Sequence, residues 1–119
     1  ELVQGFHFEE YTDTLLRELS TGNRKKAFLI TAFALKPRLL FLDEPVNGLD
    51  FQSTEYLYQR ILGYKEHGTV LFSSHILESI TLTSDRGFVL EDGKIRQTFE
   101  GGQINAADIR EALHDENDR

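Results

Sequence analysis

The chain has 119 residues and a hydrophobic fraction of 39%, which is enough for the core of one domain. Its formal net charge of −7 disfavours nucleic acid as the main ligand, because phosphate backbones recruit lysine and arginine. It contains no cysteine, which excludes disulfides and cysteine-ligated metal. No apolar run approaches the roughly 18 to 20 residues that span a bilayer, so a membrane role requires a partner.

Two helices are predicted in the first third of the chain. Apolar residues at near-helical spacing indicate a short amphipathic helix over residues 9–19. Ser20 or Thr21 can cap a second helix, which runs to about Leu35 before a proline stops it. We interpret the basic cluster of this helix, residues 24–26, as a solvated face.

A buried strand is predicted at residues 39–43. Its apolar residues are consecutive rather than alternating, which is typical of a strand covered on both faces in a parallel sheet. A helix then begins at Asp50, with Gly68 as its C-terminal cap. The predicted apolar face of this helix comprises Leu57, Tyr58, Ile61 and Leu62.

A second apolar strand, residues 69–73, and a helix, residues 76–83, complete the predicted parallel sheet. The order strand, helix, strand, helix predicts parallel strands joined by right-handed crossovers. The fold class is therefore α/β.

A hairpin and a short helix end the chain. Residues 87–91 and 94–99 are its strands, because Asp92-Gly93 supplies the positive φ angles of a type I′ turn. Asn105 caps the last helix, predicted from 106 to about 113. A charged tail, residues 114–119, is expected to fray.

Two adjacent carboxylates, Asp43 and Glu44, follow the first strand. Open α/β sheets bind ligands at the carboxyl ends of their strands. One carboxylate that holds Mg²⁺ and a neighbour that deprotonates the attacking water would suit metal-assisted phosphoryl hydrolysis. The alternative is an Asp-Glu-Pro turn that only ends the strand.

Two further elements favour the chemical interpretation. His75 follows the second strand in the run Ser-Ser-His, so we expect it at the same sheet edge as Asp43 and Glu44. Ser20, Gly22 and the backbone N–H groups at a helix start form an anion site.

Taken in order, LSTGN, LLFLDEP, NGLD and SSH resemble four motifs of the nucleotide-binding domain of ABC ATPases. These are the signature motif, the Walker B strand with its catalytic glutamate, the D-loop and the switch histidine. The resemblance extends from about residue 19 to residue 95. It implies a parallel sheet of the P-loop NTPase (RecA-like) type, followed by a β-hairpin and a short helix.

The resemblance also implies a role for each site residue. Asp43 would bind Mg²⁺ through water, Glu44 would be the general base, and His75 would contact the γ-phosphate of ATP. The remaining residues would act across a dimer of two such domains. Ser20, Gly22 and Asn23 would contact the ATP held by the opposite subunit, and Asp50 would couple the two sites.

The implied function is an ATP-hydrolysing subunit of an ABC transporter, cytoplasmic and peripheral on the inner face of the cell membrane. Its partners would be a transmembrane permease and a second nucleotide-binding domain, in a homodimer or a heterodimer, and no nucleic acid is expected. The alternatives are an ABC-type ATPase without membrane partners and a catalytically inactive interaction module. The intact Asp43, Glu44 and His75 argue against the inactive module.

The sequence departs from the family pattern in two ways. Thr21 and Asn23 replace a glycine and the glutamine of LSGGQ, and the β-branched Thr21 restricts the backbone beside a phosphate site. No G-x-x-x-x-G-K-S/T loop occurs in the 119 residues. We therefore expect a C-terminal half of the domain that lacks the phosphate-loop strand and is inactive alone. Its expected parts are the end of the helical subdomain (1–19), the four-motif region (20–100) and the C-terminal helix and tail (101–119).

Overall fold

The computed structural model describes residues 1–117 and divides them into two compact units, Glu1–Ser74 and a second unit that begins at His75. The first unit contains α1 (Leu2–Gly5), α2 (Thr21–Leu35), β1 (Leu39–Leu42), α3 (Phe51–Tyr64) and β2 (Thr69–Phe72). The second unit contains α4 (Leu77–Thr83), β3 (Arg86–Glu91), β4 (Lys94–Glu100) and α5 (Ala106–Asn117).

The amphipathic helix predicted at 9–19 is wrong. This segment forms two short 3₁₀ turns, Glu9–Tyr11 and Leu16–Glu18, with Leu15 extended between them. Leu15 and Leu16 are both exposed, so the apolar spacing does not correspond to a buried face. The Thr12 hydroxyl competes for the backbone here, because it donates to the Glu9 carbonyl.

Helix α2 matches its prediction at both ends. Ser20 is the N-cap, and its hydroxyl accepts the Asn23 N–H at 3.1 Å. Lys36 ends the helix in the left-handed conformation, and Pro37 follows. The cap that begins α2 also fixes the backbone of the LSTGN motif.

Strands β1 and β2 pair in parallel, from Leu39 opposite Thr69 to Leu42 opposite Phe72, as predicted. The prediction that β1 is buried on both faces is wrong. Leu40 and Leu42 are buried, whereas Leu39 and Phe41 are 60% and 68% exposed. The core helices α2 and α3 pack on one face of this two-stranded sheet only.

Helix α3 begins at its N-cap Asp50, as predicted, but two details of its prediction are wrong. Leu62 is exposed, because the buried face centres on Leu57, Ile61 and Tyr64 and Leu62 lies further around the helix. Gly68 is not the C-cap, which is Lys65. A Cβ on Gly68 would lie 2.3 Å from the Arg38 carbonyl oxygen, so glycine allows the two strands to start close together.

The second unit follows the predicted order of helix, hairpin and helix. The hairpin turn has φ of +51° at Asp92 and +75° at Gly93, as a type I′ turn requires. The Asn105 side chain accepts the Asp108 N–H at 2.9 Å and so caps α5. Helix α5 is longer than predicted and continues to Asn117. The expected fraying of the tail stays a prediction, and residues 118–119 lie outside the described residues.

Each unit has its own apolar core. In the second unit, Val89 and Phe99 of the hairpin pack with Ile109 and Ala112 of α5. Across residues 1–117, none of the helices combines the length and the hydropathy of a membrane span.

Candidate active site

Asp43 and Glu44 lie at the carboxyl end of β1, where both form hydrogen bonds with Ser73, the residue that follows β2. The Ser73 hydroxyl donates to Asp43 Oδ1 at 2.5 Å and accepts the Glu44 N–H at 2.9 Å. The Ser73 N–H in turn donates to the Leu42 carbonyl at 3.1 Å, so the strand pairing extends to the carboxylates. Asp43 is exposed and Glu44 is half-buried.

Ser73 is a site residue that sequence reasoning missed. A signal for it exists in the sequence, because Ser73 follows β2 directly as Asp43 follows β1. Two side chains that follow paired parallel strands in register are neighbours across the sheet edge.

The peptide groups of Glu44 are held from two sides. Its carbonyl oxygen accepts from Lys25 Nζ of α2 at 2.7 Å and from the Asn47 N–H at 3.2 Å. Its φ is +47°, in the left-handed region. The loop after β1 is therefore tied both to α2 and to the end of β2.

The start of α2 contacts the NGLD loop. A Cβ on Gly22 would lie 2.7 Å from the carbonyl oxygen of Gly48, so a glycine is needed at position 22 by packing within the chain. Ser20 is exposed, and its hydroxyl, which accepts the capping N–H, keeps its own proton to donate to a ligand. Asn23 is half-buried.

Asp50 is engaged through both carboxylate oxygens. Oδ1 accepts the Ser53 N–H at 2.8 Å, and Oδ2 lies 2.9 Å from Lys26 Nζ. The hydrogen bond from Lys26, assisted by that from Ser53, lowers the pKa of Asp50 from 3.8 to about 2.

The interpretation of residues 24–26 as a solvated face is therefore wrong. Lys26 is only 6% exposed and forms the ion pair with Asp50. Lys25 is half-buried and bonds the Glu44 carbonyl, and Arg24 alone of the three is exposed. Buried lysine requires a partner, and the loop after β1 supplies it.

His75 belongs to the second compact unit, where it is the first residue and has an exposed side chain. Its expected position beside Asp43 and Glu44 stays a prediction. The structure brings together Asp43, Glu44 and Ser73, and separately the two glycines of the signature and NGLD motifs.

The few acidic side chains at this site suit a metal ion that takes most of its ligands from water and substrate. Among the described residues, no group of three or more histidine, cysteine or acidic side chains could hold an ion. Mg²⁺ is commonly bound by one or two carboxylates, with water and substrate phosphates filling the other positions. An exposed Asp43 with Ser73 beside it fits that pattern.

The sequence matches known proteins over most of its length. Residues 2–81 match the family model described as "AAA domain, putative AbiEii toxin, Type IV TA system". The "Putative ABC transporter ATP-binding protein AlbC" of Bacillus subtilis is 40% identical over 103 residues, which cover 86% of this chain and 43% of that protein. The "Daunorubicin/doxorubicin resistance ATP-binding protein DrrA" of Streptomyces peucetius is 30% identical, over 100% of this chain and 38% of that protein.

Solved structures agree with these relatives. One described as "Structure of ATP binding subunit of ABC transporter" has a TM-score of 0.78 and 28% identity, and the match covers 95% of this chain and 45% of that one. This likeness confirms the predicted α/β fold. The chain spans less than half the length of each of these three proteins.

Proposed function

Because this chain belongs to the ATP-binding domains of ABC transporters, we propose that it is part of an ATPase that uses ATP hydrolysis to drive transport across a membrane. The relatives named above are both described as ATP-binding proteins, and AlbC as a putative one of an ABC transporter. The observation that carries the proposal is the hydrogen-bonded group of Asp43, Ser73 and Glu44 at the end of the parallel sheet.

Glu44 is the proposed general base. Its half-buried carboxylate would orient the attacking water and take its proton. Asp43 would hold Mg²⁺ through water, with Ser73 fixing the carboxylate through Oδ1. When bound, Mg²⁺ supplies the positive charge that offsets charge on the phosphate oxygens. His75 is proposed to contact the γ-phosphate.

The second half of each site would come from another chain. Ser20, Gly22 and Asn23 are proposed to contact ATP held by the opposite domain, with the start of α2 favouring a negative ligand. Asp50 is proposed to couple the two sites. Its ion pair with Lys26 and the contact of Gly22 with Gly48 support this role, because they join the signature helix to the loop of Asp50.

The proposed partners follow from the family. A transmembrane permease would receive the conformational change, and a second nucleotide-binding domain would complete the pair of sites. The proposed location is the cytoplasm, on the inner face of the cell membrane.

The test is Glu44→Gln in the full-length protein in which this sequence occurs. We expect ATP binding to persist and turnover to fall about 10² to 10⁴-fold, the usual contribution of a general base. Glu55→Gln, an exposed position on α3, is the matched control and should turn over normally. Wild-type turnover by Glu44→Gln would refute the proposed role.

A further inference from the structure

Glu44 has a backbone conformation that its sequence context disfavours. Its φ of +47° lies in the left-handed region, which residues with a Cβ seldom adopt. It also precedes Pro45, and the residue before a proline is normally pushed to extended conformations. Strained residues of this kind persist only where surrounding groups determine them, and they cluster at functional sites.

Two side chains hold Glu44 in this conformation. Lys25 Nζ donates to its carbonyl oxygen at 2.7 Å, and the Ser73 hydroxyl accepts its N–H at 2.9 Å. Lys25 comes from α2 and Ser73 from the end of β2, so the two contacts approach the residue from different elements. A hydrogen bond from a charged donor such as Lys25 is among the stronger kinds.

We propose that Lys25 and Ser73 are positioning residues that keep the Glu44 carboxylate aimed at the reacting centre. The proposal rests on the proposed role of Glu44 as general base. Loss of the two side-chain contacts leaves the bond from the Asn47 N–H to the Glu44 carbonyl at 3.2 Å. The backbone before Pro45 can then shift toward the extended region and turn the carboxylate away from the reacting centre.

The two contacts also set what moves together with Glu44. Lys25 lies on the helix that begins with Ser20 and Gly22, so a ligand that displaces the start of α2 also displaces the carbonyl of Glu44. Ser73 holds Asp43 as well, so both carboxylates keep one relative arrangement. The loop after β1 is thus positioned by two elements. One is α2, whose start is proposed to contact the ATP of the opposite domain, and the other is the sheet that carries Asp43 and Glu44.

The first experiment separates positioning from folding. In the full-length protein, Lys25→Met and Ser73→Ala should each lower kcat on the order of 10 to 100-fold, since small misplacements cost rates of that size. KM for ATP should stay the same in Lys25→Met, which leaves the contacts of Asp43 intact. Lys25→Arg and Ser73→Thr, which keep a donor and a hydroxyl, should recover most of the rate. Arg24→Met and Thr69→Ala, on the same helix and strand, are controls that should retain full turnover.

The second experiment is a double-mutant cycle with Glu44→Gln, followed by single-turnover hydrolysis. Lys25 acts through Glu44, so Lys25→Met should cause no further loss in that background. Ser73→Ala also releases Asp43 Oδ1, so it should cost less there than in the wild type but not nothing. A further loss of the same size as in the wild type would overturn the inference. Ser73→Ala tests the inference separately if Lys25→Met disturbs α2.

The outcomes distinguish this inference from the proposed function. Wild-type turnover by Glu44→Gln would refute the general-base assignment itself. Loss of turnover by Glu44→Gln together with wild-type kcat in both Lys25→Met and Ser73→Ala would refute only the positioning role.

Discussion

At the scale of single residues, the carboxylate of Asp50 is a structural group as well as a proposed coupling group. It caps α3 through Ser53 and pairs with the buried Lys26, so its charge is used within its own chain. Any contact that Asp50 makes with a second domain must therefore compete with, or add to, these two.

The ion pair predicts a loss of stability in acid. The folded pKa of Asp50, about 2, lies below its ordinary value of 3.8. The contribution is complete above 3.8 and is lost as the pH falls through about 2. We expect about 1 kcal/mol, since the half-exposed side chain is screened by solvent.

Urea unfolding of the wild type and of Asp50→Asn between pH 5 and pH 2 measures this contribution. The variant should lack the acid-dependent component, whereas Asp13→Asn, at an exposed position, should retain it. The same acid-dependent loss in Asp50→Asn and wild type would contradict the expectation.

At the scale of elements, α2 and the NGLD loop form one packed contact, at Gly22 and Gly48. Gly22→Ala places a Cβ against the backbone oxygen of Gly48, which cannot move aside as the end of a flexible side chain could. We expect this change to lower the free energy of unfolding by about 1 to 3 kcal/mol, the usual cost of overpacking.

Gly63→Ala on α3 is the matched control. A Cβ at position 63 meets no atom within 4 Å, and α3 is helical there, so alanine should stabilise by about 0.5 to 1 kcal/mol. Thermal unfolding of both variants measures the difference. Equal effects of the two substitutions would show that the contact with Gly48 is not tight.

Local signals in the sequence predicted those elements whose ends depend on nearby residues. Ser20, Asp92-Gly93 and Asn105 each act on a backbone group within a few positions, and each forms the cap or turn expected of it. The segment 9–19 failed because apolar spacing alone cannot say whether a core lies opposite the predicted face.

The candidate site could be predicted only in part. Asp43 and Glu44 follow an apolar run, and their position at a strand end needs only the order of elements. Lys25, Lys26 and Ser73 belong to the site only through their contacts with the loop after β1. The partners in these contacts are 19 to 30 positions apart in the sequence. A charge pattern cannot distinguish a lysine that reaches such a loop from one in water.

At the scale of the whole molecule, the proposed arrangement requires each site to combine residues of two chains. A variant without the base and a variant without the signature serine should then complement each other. If the domain pairs with a copy of itself, a mixture of Glu44→Gln and Ser20→Arg should regain about a quarter of wild-type turnover, because about half of the dimers are mixed and each keeps one intact site of two.

A variant that carries both changes in one chain provides the control. Mixed with an equal amount of wild type, it forms mixed dimers in which both sites are damaged. Turnover should therefore fall to about half of what the wild type in the mixture gives alone, because half of the wild-type chains are then in damaged dimers. Steady-state hydrolysis of each mixture is the measurement. An absence of recovery in the first mixture would argue for a site built within one chain or for a different second subunit.

The face of the two-stranded sheet that carries Leu39 and Phe41 should affect how easily salts precipitate the protein. Leu39 and Phe41 both present most of their surface to water on this face. Sulfate is excluded from protein surfaces and so strengthens the tendency of apolar groups to leave water. We expect the protein to precipitate at a lower ammonium sulfate concentration than a Leu39→Thr, Phe41→Thr variant, in which smaller side chains that suit a strand replace the two apolar ones and add hydroxyl groups. Equal solubility of the two proteins would mean that other surfaces control salting-out.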